Sequence, residues 1–220
     1  MAQGRLFIGN RRYSSWSLRG WLAVRLAGLD VLDVVIPLAG GATPGVKAAT
    51  PAGMVPYLEH DGARIWESLA ICEYCAEHSI GLWPADRVAR AAARTAAAEM
   101  HAGFRALRMA MPMNLGRSDL AGHGQNPDSL ADIARIDQLW CELRAAYGTD
   151  GPYLFGRVFG NVDAMFAPVV ARFLTYAPPL SPIAQTYCHA VRAQADVSHW
   201  YDLAAAEPAA WLVAKYELPA

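Results

Sequence analysis

The sequence predicts a mixed α/β domain followed by an all-helical domain. Three observations carry this. Residues 1–79 alternate short apolar runs with apolar residues at helical spacing. Beyond residue 86 the strand signals nearly vanish. And 42 of the 220 residues are Ala, the residue with the best intrinsic helix propensity. Strand–helix alternation followed by a helical block argues for two packed domains, and at ~100–200 residues per domain the length allows two small ones. The expected division is 1–79, a linker at 80–87, and 88–220.

Each element follows from a local pattern. Residues 5–9 (RLFIG) are a short apolar run and read as a buried strand. Residues 14–27 place Leu18, Trp21, Leu22, Arg25 and Leu26 at helical spacing, and Gly28 stops the helix. Residues 31–38 (VLDVVIPL) are β-branched and read as a second strand. Gly40, Gly41, Pro44, Pro51 and Gly53 punctuate what reads as a long irregular connection. Tyr57–Glu59 and Arg64–Trp66 flank an Asp61-Gly62 turn and read as a hairpin. Residues 67–78 then read as a helix. In the second part, residues 88–111 read as one Ala-rich helix ending before Pro112. Residues 128–147 are amphipathic, with Leu130, Ile133, Ile136, Leu139, Trp140 and Leu143 on one face. Residues 161–176 are apolar all round, so a buried helix. Shorter helices follow through residue 206.

Composition excludes several function classes. Nineteen Lys+Arg against twenty Asp+Glu give a net charge of −1, so there is no basic footprint for nucleic acid. With 54% hydrophobic residues the chain can bury a sizeable core and is not globally disordered. A membrane span needs ~20 mostly apolar residues, and the longest uncharged stretch, 173–191, is broken by Pro178, Pro179 and Pro182. No secretory signal pattern opens the chain. Four cysteines make no dense disulfide framework. The expected compartment is the cytoplasm.

Three short segments carry the chemistry. Tyr13-Ser14-Ser15-Trp16-Ser17-Leu18-Arg19 lies at a strand-to-helix junction, where a helix N-terminus favours anions. Met54-Val55-Pro56-Tyr57 enters the hairpin. Glu67-Ser68 opens the next helix. Taken singly, each serine reads as an ordinary N-cap and Pro56 as a strand-starting proline.

Their combined order is more specific. Together with the LWPAD linker and residues 156–170 (GRVFGNVDAMFAPVV), it resembles the cytosolic glutathione S-transferases. Those proteins have a thioredoxin-like α/β first domain and an all-α second. The Ser14 to Arg19 spacing is similar to the serine-type zeta and tau classes, in a bacterial branch. The resemblance implies glutathione as co-substrate and a thiolate added to a small electrophile. Glutathione-dependent cis–trans isomerisation of the maleylacetoacetate-isomerase kind and a non-catalytic ligand-binding role are the alternatives.

By the same resemblance Ser14 contacts the sulfur, with Ser15 as the second candidate and Tyr13 as a minor one. Val55 offers its backbone to the cysteinyl part, and Pro56 is cis. Glu67 holds the γ-glutamyl amine and Ser68 the carboxylate. Met54 stands where many relatives carry Lys or Gln, so Lys47 or Arg12 is expected to replace that anchor. Arg105, Arg108, Met111, Met113 and Asn114 are the expected electrophile-pocket residues; His101, Arg105 and Arg108 also fit a solvated helix face. A twofold homodimer is implied, pairing the first domain of one subunit with the second of the other. Gly160 and Asp163 read as a structural capping box. Cys72-x-x-Cys75 falls inside a helix and reads as core packing; no second pair at ligand spacing suggests zinc.

Overall fold

The computed structural model describes residues 3–217. Strands β1 (Gly4–Gly9), β2 (Val31–Ile36), β3 (Tyr57–His60) and β4 (Ala63–Trp66) form one sheet in the order β2-β1-β3-β4. β1 and β2 are parallel, with Phe7 opposite Val34. A parallel pair needs a crossover, and α1 (Ser15–Ala27) supplies it. β3 runs antiparallel to both β1 and β4. The β3–β4 turn is Asp61-Gly62, with φ of 47° and 79°. Two successive positive φ values match the right-handed twist of the flanking strands, which is why Asp-Gly signals a hairpin.

The long connection before β3 is not wholly irregular. It contains α2 (Pro44–Ala49), six residues whose only buried member is Val46. A helix that short, with Pro at its start and Gly45 inside it, leaves no apolar periodicity to read. α3 (Ser68–His78) packs on α1. Leu18, Leu22, Ile71, Cys72 and Cys75 from these helices join Leu6 and Ile8 of β1 and Leu58 of β3 in the core. Full burial stabilises each such Leu or Ile by roughly 1.5–3 kcal/mol.

The second domain holds α4 (Arg87–Ala102), α5 (Arg105–Ala110), α6 (Pro127–Tyr147), α7 (Asn161–Tyr176), α8 (Pro182–Ala193), α9 (Ala195–Ala205), a 3-10 turn (Ala209–Trp211) and α10 (Ala214–Glu217). The single helix expected over 88–111 is instead two. Gly103 ends α4, and Phe104 sits in the left-handed region at φ 56°. A Cβ on Gly103 would lie 2.7 Å from the Glu99 carbonyl oxygen. The new helix start is capped from outside, by Asp132 of α6 accepting from the Leu107 N–H at 2.9 Å. That partner is remote in sequence, so the local pattern does not announce the break.

α7 is buried along nearly its whole length and packs on α1, α4 and α8. Its first turn is closed by Asp163. That carboxylate accepts from the Gly160 N–H at 3.0 Å, the Leu154 N–H at 3.1 Å and the Tyr187 hydroxyl at 3.0 Å. Burial nevertheless raises its pKa to about 6. Asp163 is a structural residue, as its spacing from Gly160 suggested. Asn161 reaches into the first domain and donates to the Cys72 carbonyl at 2.8 Å.

Candidate active site

The loop between β1 and α1 is held from the far end of the chain. Asn10 accepts from the Leu38 N–H at 2.6 Å and donates to the Trp211 carbonyl at 3.0 Å. Glu207 accepts from the backbone N–H groups of Arg11 and Arg12, at 2.6 and 3.3 Å. Trp200 Nε1 donates to the Arg11 carbonyl. This clasp sets where α1 begins.

The two serines at that start differ. Ser14 is the N-cap: its oxygen accepts from the Ser17 N–H at 3.4 Å, and its hydroxyl donates to Ser17 Oγ at 2.7 Å. Ser17 Oγ in turn accepts from the Gly9 N–H. The Ser15 oxygen accepts from Arg172 Nη2 of α7 at 3.4 Å. Its own proton is left for another acceptor.

Two adjoining cavities lie beside these residues. The first, about 460 Å³, is walled by Met54, Val55, Pro56, Glu67, Ser68 and His101, with α2 contributing Val46. The second, about 680 Å³, is walled by Tyr13, Ser14, Ser15, Arg105, Met113 and Arg172, with Lys215. Trp16, Leu38, Val55 and Arg108 line both, so they form two halves of one cleft. The Val55–Pro56 bond is cis, as expected.

Glu67 and Ser68 carry the unusual features of the first half. Glu67 has φ 71°, a region that costs of order 1–3 kcal/mol for a residue with a Cβ. Its carboxylate lies 3.5 Å from His101 Nε2. Burial, together with Arg19 and Arg108, outweighs Glu67 and lowers the His101 pKa, so this imidazole is neutral near pH 7. Ser68 is buried at the wall, and its Oγ has no hydrogen-bond partner.

The second half is cationic. Trp16 has the Arg19 guanidinium 4.4 Å from its ring centre and that of Arg108 at 5.3 Å. His101, Arg105 and Arg108 therefore face the cleft and not bulk solvent alone. Met113 lines the second half, whereas Met111 belongs to the core and contributes only its carbonyl, to Arg172 Nε at 2.8 Å. Asn114 is buried outside the lining; its amide donates to the Tyr216 carbonyl and Glu217. The stretch after Pro112 thus anchors the C-terminal turn, and only Met113 of it reaches the cleft.

Other expected residues are engaged elsewhere. Tyr13 donates to the Glu217 carboxylate and accepts from the Val213 N–H. Burial and then Glu217 push its phenol up to about 12, which unsuits it to activating a thiol. Arg12 is 3.6 Å from Glu217; Lys47 is exposed on α2 beside the first half. Cys72 and Cys75 are free and buried, and burial raises both thiols, Cys75 to about 12. Among the described residues no cluster suits a metal ion, and no helix is long and apolar enough to cross a membrane.

Residues 13–78 match the glutathione S-transferase N-terminal domain family. The fold agrees over the rest of the chain. A glutathione transferase homologue from Burkholderia GL BGR1, solved with bound glutathione, superposes with a TM-score of 0.70 at 21% identity, over 93% of this chain and 99% of its own. Residues 13–78 thus belong to that domain family, and the chain as a whole has the glutathione transferase fold. The maleylacetoacetate isomerase of Rhizobium meliloti is 41% identical over 81 residues, 35% of this chain. That match spans only 38% of the isomerase's length. The maleylacetoacetate isomerase of Anaeromyxobacter dehalogenans, solved with glutathione in its active site, has a TM-score of 0.66 at 24% identity, over 94% of this chain and 98% of its own. Within this fold, Arg172 and the clasp by Glu207 and Trp200 are features that sequence reasoning passed over, and His101, read there only as part of a helix face, lines the cleft. His101 and Arg108 at helical spacing were the one usable signal; Arg172 sits in an apolar helix and gave none.

Proposed function

We propose that the chain is a glutathione transferase, holding glutathione in the first half of the cleft and a small electrophile in the second. The observation that carries this is Ser68 Oγ, buried at the cavity wall beside Glu67 and without a partner. A buried hydroxyl left unmade costs ~1–3 kcal/mol, and a ligand carboxylate at this helix N-terminus would relieve it. Glu67, beside His101 at the same wall, is the partner for the γ-glutamyl ammonium. Val55 pairs its backbone with the cysteinyl part. Lys47 is the remaining candidate for the glycyl carboxylate, since Arg12 is occupied by Glu217.

The sulfur then points from the first half towards the second, at the start of α1. A free thiol is mostly protonated near neutral pH. A hydroxyl donor and a helix N-terminus both favour the thiolate, the reacting form. Ser14 spends its proton on Ser17, so Ser15 is the better donor. The thiolate attacks the electrophile held in the second half. One observation favours isomerisation as a second reading: Arg105, Arg108, Arg172 and Lys215 line that half with no carboxylate among the lining residues, a setting for an anionic unsaturated substrate. We also propose a cytoplasmic homodimer, consistent with the exposed apolar Trp66 and Val88.

Calorimetric titration with glutathione tests the core of the proposal. The expected result is saturable binding at one site per chain, competed by S-methylglutathione. Absence of saturable heat overturns it.

A further inference from the structure

We infer that Arg172, through the Ser15 hydroxyl, is the residue that sets the acidity of the bound thiol. The inference rests on the glutathione-binding reading above and adds a residue from the second domain to it.

Arg172 is an unusual side chain. It lies on α7, 4% exposed, in the middle of an apolar helix. Its Nε donates to the Met111 carbonyl and its Nη1 to the Pro168 carbonyl, at 2.8 and 2.9 Å. The remaining nitrogen, Nη2, reaches across the domain boundary to Ser15 Oγ at 3.4 Å. No carboxylate among the described residues acts on the guanidinium. A buried cation without an anion is expensive, and it is here aimed at the wall of an open cavity.

The groups around it are cations or weak acids. Arg19 and Ser15 face it from α1, Arg108 from α5, and Tyr176 from its own helix. Arg105, Lys215, Tyr13 and Tyr216 line the same half of the cleft. Burial and Arg108 lower the Arg172 pKa to about 10, so the charge is still held near pH 7. Asp132 acts on Arg108, but no carboxylate among the described residues acts on Arg172 or Arg19, and a thiolate accepting a hydrogen bond from Ser15 would bring a negative charge beside Arg172.

The geometry decides the route. Ser15 Oγ accepts from the guanidinium and so has its proton to give. A sulfur at hydrogen-bonding distance from that oxygen lies within about 6 Å of the cation, the range over which an opposite charge lowers a pKa by ~1–3 units. Only the S–H bond is broken on ionisation, and its proton leaves to solvent. The guanidinium stays charged throughout. Arg172 is therefore a positioning and electrostatic residue that acts through Ser15; it takes no proton itself.

The test is the thiol titration of bound glutathione, read by thiolate ultraviolet absorbance across pH, in the full-length protein. Wild type, Arg172→Lys, Arg172→Met and Ser15→Ala are compared. S-methylglutathione, which has no thiol to ionise, reports binding separately. Arg172→Met is expected to raise the bound thiol pKa by about one unit or more while S-methylglutathione affinity stays within twofold. Arg172→Lys, which keeps the charge, should restore part of the shift. An Arg172→Met protein with wild-type S-methylglutathione affinity and an unmoved thiol pKa overturns the inference. Should Arg172→Met fail to fold, Ser15→Ala decides: its bound thiol pKa must rise, and an unmoved value overturns the inference equally. A wild-type protein that binds neither ligand would instead overturn the glutathione-binding reading, a result distinct from either.

Discussion

Two helices of the first domain start on the wall of the cleft, each with a serine, and the two starts are built in opposite ways. At α1 the serine hydroxyl is consumed by the fold: Ser14 donates to Ser17 Oγ, accepts from its N–H, and passes the chain on to Gly9. At α3 the serine hydroxyl is left open. Ser68 Oγ is buried without a partner, and the residue before it, Glu67, is held at φ 71°. A cap satisfies orphan N–H groups of its own helix. A helix start that withholds its hydroxyl and strains its backbone is under-used by the fold, and strain of that kind gathers at functional sites. One helix start stabilises the domain; the other is the one we propose for a ligand.

Ser68→Ala breaks this comparison most sharply. If the hydroxyl serves a ligand carboxylate, glutathione affinity falls by about 1.5–3 kcal/mol, the range for a hydrogen bond to a charged group. Stability of the empty protein should hold or rise slightly, because an unpaired buried hydroxyl is removed. Calorimetry and thermal melts on the same preparations check both halves. A destabilised protein with unchanged affinity would make α3 an ordinary capped helix and erase the contrast.

Glu67→Gly sharpens it. Glycine adopts positive φ without a Cβ penalty. Relief of strain worth ~1–3 kcal/mol, less the entropy glycine loses on folding, should leave the protein roughly 1 kcal/mol more stable. Glutathione binding should weaken at the same time, through loss of the ammonium partner. Stability and affinity thus move in opposite directions. A lower melting temperature would show that the Glu67 side chain is held for the fold and not for a ligand.

How much of this was legible depended on how local the signal was. The Asp61-Gly62 turn, the Gly28 stop after α1 and the spacing of Gly160 to Asp163 all report interactions within a few residues, and the structure has them where the sequence put them. The Val55–Pro56, Glu67 and Ser68 cluster was legible only as a combination, because each part alone is commonplace. The break at Gly103-Phe104 was hidden: an isolated glycine is tolerated in a helix, and the Asp132 cap comes from another helix. Arg172 was hidden more deeply still. Its partner Ser15 is 157 residues away, and its neighbours in sequence are apolar. Sequence pattern reports which faces are buried; it does not report which buried charge has been left without an anion.

The smallest expected effect is at Ser14. The serine-type resemblance put this hydroxyl on the sulfur, with Ser15 second. The geometry separates the two roles. Ser14's proton lies on Ser17 Oγ at 2.7 Å, and rotating it toward a sulfur would leave Ser17 without that donor inside a buried network. Its cap bond to the Ser17 N–H is long, at 3.4 Å. Ser14→Ala should therefore cost stability at the low end of the N-cap range, about 0.5–1 kcal/mol. It should leave the bound thiol titration in place, while Ser15→Ala moves it upward. The sign follows from the thiol: a donated hydrogen bond favours the charged sulfur, so losing the true donor raises the thiol pKa, and activity falls on the acidic side first. Thermal melts and a pH profile of the bound thiolate on the two variants distinguish the roles. A thiol pKa that rises in Ser14→Ala and not in Ser15→Ala would show that the Ser14–Ser17 bond yields to the ligand, and the start of α1 would then join that of α3 as a ligand-binding helix start.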